Sequence, residues 1–135
     1  MHQAFSTTVP IRWGDQDIYG HVNNARLVVL IEEARISWLN HMTRRDGVHE
    51  FSGPRVVASL HVDYKKPVMY GTDLEMELWI GRIGTSSYQL QYRAAQGTET
   101  VFTASTVMVP LEKPGGCTRP LTKAERDYLS PYLAQ

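Results

Sequence analysis

The strongest constraint in this sequence is a change of period. From Asn24 onward Leu27, Leu30, Ile31, Ala34, Trp38, Leu39 and Met42 recur at the spacing of one helix face, while Glu32, Glu33, Arg35 and Asn40 mostly face elsewhere. The spacing predicts about twenty residues of helix, roughly 30 Å long, started by a cap at Asn23 or Asn24 and stopped at the Asp46-Gly47 turn. Beyond that turn the period becomes two and stays there, with strands expected over 56–64, 73–83, 87–95 and 99–109. Turn chemistry separates them: Lys66-Pro67 to Gly71-Thr72, Gly84-Thr85 and Gln96-Gly97-Thr98. Ahead of the helix, Phe5, Thr7, Val9, Ile11 and Trp13 alternate with polar residues as a further strand, placed at an edge or bulged by Pro10, which has no amide to donate. Thr122 and Glu125 form a capping box before a short C-terminal helix ending near Leu133.

One strand, one long helix and then four strands is an α+β order. The expected architecture is a curved antiparallel five-stranded sheet around one long central helix, its last four strands in a meander, with the short helix at the C-terminus. Such a single-layer sheet leaves edge strands and part of the helix poorly covered, which favours dimerisation. The 135 residues suit one domain spanning 1–135, and a chain of this length buries enough surface to hold a core without disulfides or a structural metal.

Charge and composition exclude several classes of function. Fourteen Lys and Arg balance fourteen Asp and Glu, so no basic field gathers nucleic acid. The single cysteine, Cys117, has no partner for an intrachain disulfide and fits a reducing compartment. The longest aliphatic run, 27–31, is far short of the roughly 20 residues that span a bilayer, and the first ten residues lack the pattern of a secretion signal. A soluble cytoplasmic protein is the expectation.

The chemistry is concentrated in the loop RWGDQDIYGHVNN, which gathers Asp15, Asp17, His21, Asn23 and Asn24 just before a helix start. Helix N-termini present amides without intrahelical partners, and a substrate carbonyl set against them is polarised toward an oxyanion. A neighbouring carboxylate can attack that carbonyl or deprotonate a water. Gly14 and Gly20 supply the turns and the close approach to backbone. Asp15 reads as a structural residue of the loop, and Asp17 as the acid that acts. A metal set of Asp15, Asp17 and His21 has no recognised ligand spacing, so no metal is expected.

The run RWGDQDIYGHVNN with EEAR, followed by HVDYKKPVMYGTDL and GTSSYQLQY, resembles the hotdog-fold acyl-CoA thioesterases of the 4-hydroxybenzoyl-CoA thioesterase type, from Thr8 to the C-terminal PLTKAERDYL. The resemblance implies a homodimer or dimer of dimers with each active site at a subunit interface, an acyl-CoA substrate and no separate cofactor. It carries the nucleophile or general base onto Asp17, the carbonyl-polarising amides onto 23–25 with Asn24 and Ala25 among them, and orientation of catalytic groups or water onto His21 and Asn23. It further places Gly20 where room is made for substrate, and Arg82, Ser86 and Ser87 toward the CoA moiety from the partner chain; an anionic CoA tail needs only two or three donors, and Lys65, Lys66 and Arg82 are the basic residues that offer them. Some hotdog thioesterases use a helix glutamate, which makes Glu33 the reserve acid.

One departure stands out. Relatives usually carry tyrosine where this chain has Leu27, and its loss either widens an apolar acyl tunnel or marks a member with altered activity. Two rival functions therefore remain: a hotdog hydratase or dehydratase acting on the acyl chain, and a non-catalytic acyl-CoA or acyl-carrier binding module.

Overall fold

The computed structural model describes residues 2–135. Its elements are β1 (Phe5–Val9), α1 (Asn24–Asn40), β2 (Arg55–Tyr64), β3 (Leu74–Ile83), β4 (Tyr88–Gln96), β5 (Glu99–Pro110) and α2 (Lys123–Leu129). Short turns of tighter or wider helix lie at Trp13–Asp15, His41–Arg45, His49–Ser52 and Ser130–Tyr132. Asn23 starts α1 as its cap, with its side chain accepting the Ala25 amide at 2.8 Å. The helix runs on through the wider turn at His41–Arg45 and stops at Gly47, whose φ of 71° is the left-handed conformation that ends helices.

All the residues assigned to the inward face of this helix are buried, apart from half-buried Leu39. They lie on the inward rows of the sheet, Leu74, Met76, Leu78 and Ile80 of β3, Tyr88, Leu90, Tyr92 and Ala94 of β4, and Phe102, Ala104 and Met108 of β5, in one continuous core. Burial of each large apolar side chain contributes about 1.5–3 kcal/mol. Irregularities at Val57/Ser59, Ile80/Arg82 and Ala94/Ala95 break the ladder register and curve the sheet around the helix.

The strand order is β1-β3-β4-β5-β2, antiparallel at every pairing. This corrects the four-strand meander expected from the sequence. β3, β4 and β5 do meander, but β1 occupies the free side of β3, pairing Phe5 with Leu78, so β2 can only add beyond β5. β1 is also shorter than the alternation suggests. It ends at Val9, before Pro10, and Trp13 turns out to solvent at 76% exposure. Beyond the start of β1, where Phe5 pairs with Leu78, the C-terminus continues the edge along β3, and the Ala134 amide donates to Ile80 O at 2.9 Å.

β2 differs from the other long strands. Val56, Val57 and Leu60 are 46%, 41% and 40% exposed on an unpaired sheet edge. α2 is held by a buried ion cluster that takes in Arg55, the first residue of β2. Glu125 is wholly buried and accepts from Arg119 at 2.7 and 3.1 Å, with Arg55 at 3.5 Å. The capping box predicted at Thr122 is present, and the same glutamate serves both roles.

Candidate active site

The loop ahead of α1 is a tight hairpin closed by its own polar groups. Gln16 pairs with Val22 across it, and the Asp17 amide donates to His21 O at 2.7 Å. Gly20 makes the reversal with φ 78°, a conformation that costs other residues about 1–2 kcal/mol. The hairpin is then tied to the segment after β2: Val22 N donates to Val68 O at 2.7 Å, and His21 bridges to Met69.

The two aspartates have different fates within this hairpin. Asp15 is 1% exposed, and its Oδ1 accepts from Arg26 Nε at 3.1 Å and Nη2 at 2.8 Å, while Oδ2 accepts the Arg12 amide at 2.8 Å. Burial pushes its pKa up, but the Arg12 amide and the Arg26 guanidinium outweigh burial and hold it below the usual carboxylate value. It is the structural pin the sequence suggested, joining the loop to the first turn of α1. Asp17 is half-buried, with Oδ1 accepting the amides of Tyr19 at 2.9 Å and His21 at 3.2 Å. Its Oδ2 accepts no hydrogen bond from the described residues.

Asp17 lines an open cleft of about 450 Å³ together with His21, Asn24, Leu27, Tyr64, Lys65, Lys66 and Val68. Thus Asp17, His21, Asn24 and Lys65 line one cleft. Lys66 is engaged by Glu99 at 2.8 Å, whereas Lys65 makes no ion pair with a described residue. Leu27 forms an apolar part of the wall and is 2% exposed. The sequence reading missed Tyr64 and Val68. The KKP turn that flanks them is a signal of a strand end, but nothing local says that this end meets the hairpin.

The donor set at the helix start is narrower than expected. The amides of Asn23 and Ala25 are taken, by Asp15 O at 3.1 Å and by the Asn23 side chain at 2.8 Å. Asn24 N and Arg26 N have no acceptor among the described residues, and of these two residues only Asn24 lines the cleft. Asn23 itself is a cap, exposed and outside the cleft lining, because its side-chain oxygen is committed to the helix. Gly20 borders a second groove that meets the first at Asp17, with Trp13 and Ile18 along it.

Arg82, Ser86 and Ser87 do not join Asp17 within one chain. They lie at the far end of β3 and in the turn after it, where Gly84 N donates to Ser87 O at 2.8 Å and Arg126 holds Gly84 O at 2.7 Å. Glu33 is exposed on the outer face of α1 beside Glu32 and Ile36, not on the cleft. Among the described residues, no helix is long and apolar enough to cross a membrane.

Comparison with known proteins places these features in context. Residues 11–124 match the family model of the thioesterase-like superfamily. The chain is 32% identical over 130 residues to the uncharacterized protein YsmA of Bacillus subtilis, covering 93% of this chain and 85% of that one. It is 30% identical over 122 residues to the 1,4-dihydroxy-2-naphthoyl-CoA hydrolase of Synechococcus elongatus, covering 88% and 90%. Among solved structures, a Thermus thermophilus thioesterase complexed with coenzyme A and Zn matches with a TM-score of 0.78 and 31% identity over 92% of this chain and 90% of that one. A predicted thioesterase from Bacillus stearothermophilus matches with a TM-score of 0.86 over 98% of both chains; at 24% identity it speaks for the fold alone.

Proposed function

The chain belongs to the thioesterase-like superfamily, and from that premise we propose that it is a hotdog-fold acyl-CoA thioesterase, splitting a CoA thioester with water into a free carboxylic acid and CoA. The observation that carries this reading is the state of Asp17. One carboxylate oxygen is fixed by two backbone amides, and the other is unengaged on a residue that lines an open cleft together with Asn24 at the start of α1.

In this arrangement the substrate carbonyl oxygen lies against Asn24 N and the positive end of α1, so charge developing on it is stabilised. Two routes use Asp17 Oδ2. As a general base it takes a proton from water, the water oxygen bonds to the carbonyl carbon, the C–S bond breaks, and the proton passes to the thiolate. As a nucleophile it bonds to the carbonyl carbon itself, CoA thiolate leaves, and water then cleaves the mixed anhydride. Rapid quenching with intact-mass measurement separates them: an acyl adduct on the chain marks the nucleophile, and product formed with no adduct marks the base. His21 orients the attacking group, and Lys65 meets the anionic CoA.

The site is completed by a second copy of the chain, in a dimer or dimer of dimers. The exposed apolar edge of β2 supports this, as does the separation of Arg82, Ser86 and Ser87 from Asp17 within one chain, which fits a CoA contact made from the partner. The exposed free thiol of Cys117 fits a cytoplasmic setting. The test is thiol release across a panel of acyl-CoA esters, with light scattering on the same sample. The expected result is turnover by a species of at least two chains. Hydration of an enoyl-CoA with no thiol released would replace this reading by a hydratase. Tight CoA-ester binding without turnover would replace it by a binding module, the alternative that Leu27 favours.

A further inference from the structure

A second, more enclosed cavity of about 130 Å³ lies between the later turns of α1 and the sheet, walled by Ile36, Met42, Val57, Leu90 and Met108, with Arg35 among them. An arginine in such a wall is costly unless its charge is met. Arg35 is met poorly. Its side chain is 13% exposed, and the one carboxylate within 4.0 Å among the described residues is Glu32 at 3.5 Å, on a side chain that is 63% exposed. The neighbouring Arg55 offers a contrast, because Tyr88 Oη at 2.8 Å, Glu50 O at 3.0 Å, Gly53 O at 3.3 Å and Glu125 at 3.5 Å account for its donors. Arg35 also has the Tyr92 hydroxyl within reach, itself shared with Thr106, but no buried carboxylate, so of the two guanidinium groups on this cavity it is the one whose charge is met only by an exposed acid.

The position of the cavity suggests what fills it. It borders Val57 at the start of β2, while the Asp17 cleft borders Tyr64 at the end of the same strand. Antiparallel pairing of two β2 edges about their midpoint sets Arg55 of one chain opposite Tyr64 of the partner subunit, so the cavity of one chain opens beside the cleft of the other. An acyl group whose carbonyl lies at Asp17 then extends toward it. The volume is close to that of a cavity of about 150 Å³ that accepts benzene, so the part received is on the order of six non-hydrogen atoms.

We propose that this cavity receives the far end of the acyl group and that Arg35 selects acyl groups ending in a carboxylate. An all-carbon terminus fills the apolar walls but adds nothing to the guanidinium's single exposed acid partner, whereas a carboxylate can take two parallel N–H donors. The inference rests on the thioesterase reading and on the β2 dimer. Its test compares adipyl-CoA with hexanoyl-CoA as substrates, and free adipate with uncharged hexanamide as ligands. Wild type is expected to favour adipyl-CoA in kcat/KM and to bind adipate more tightly by calorimetry. Arg35→Met is expected to lower the adipyl-to-hexanoyl ratio at least tenfold, and Arg35→Lys to restore part of it.

A wild-type ratio at or below one, or an unchanged ratio in Arg35→Met, overturns the proposal. Loss of the dimer in Arg35→Met with no change in ratio also overturns it, by assigning Arg35 to the interface. If Arg35→Met fails to fold, the wild-type ratio and the adipate binding still decide. Preferential adipate binding without any thiol release would uphold the cavity's ligand and defeat the hydrolase reading instead.

Discussion

On folding, Asp15 gives up its water for the Arg26 fork and an amide, whereas Asp17 keeps one oxygen unclaimed. The two differ by position in the hairpin rather than by chemistry. Asp15→Asn is expected to cost about 1.5–3 kcal/mol, the worth of charge-assisted hydrogen bonds in a buried setting, read from urea unfolding. The pKa of Asp15 is lowered in the folded chain, so its stabilisation is full above the unfolded carboxylate value of about 4 and is lost as pH falls through its lower folded value. The variant's unfolding midpoint is therefore expected to fall less between pH 5 and pH 3, a range set by those values, than the wild type's. Gly20→Ala tests the hairpin itself. An added Cβ meets nothing within 4 Å, so its cost is backbone strain of about 1–2 kcal/mol, and Gly14→Ala, equally open and without a positive φ, should melt close to wild type. The cluster of acid, imidazole and amides was legible in the sequence, and so was the structural reading of Asp15. A cap at Asn23 or Asn24 was legible as well, but not which of the two serves, and so not that the Asn23 side chain takes the Ala25 amide while Asn24 N stays open.

At the scale of elements, α1 was the most legible, since the same spacing that names its buried face forms one stripe against the sheet. The strands were legible as strands, but their order was not. Period two says that β2 has a face, and only the pairing of β1 with β3 decides that β2 adds beyond β5 with that face uncovered. The helical reading ran on through Met42 to Asp46, so only the widening at His41–Arg45 went unseen, whereas the short turn at His49–Ser52, which buries Phe51, carries no periodic signal. Helix α2 was expected from its capping box, yet the box gave no hint that Glu125 would be buried among arginines. Glu125→Ala leaves Arg119 and Arg55 facing each other without their anion, and is expected to cost about 3–5 kcal/mol, seen as a thermal midpoint lower by on the order of 10 °C. An unchanged midpoint would show that α2 is held by its apolar contacts alone.

At the scale of the whole molecule, a curved sheet covers one side of a helix, and the uncovered apolar edge is where the proposed second chain would pair. Leu60→Glu places a charge at the centre of that edge. It is expected to halve the mass seen by light scattering and to lower thiol release with it. A monomer of full activity would separate the dimer from catalysis and return the CoA contacts to a single chain. The account as a whole depends on Asp17 reaching the carbonyl of a thioester. Single-turnover thiol release from an acyl-CoA, compared between wild type and an Asp17→Asn variant with matching circular dichroism and mass, tests this most directly. The predicted result is a rate lower by about 10²–10⁴-fold in the variant; release at the wild-type rate would contradict it.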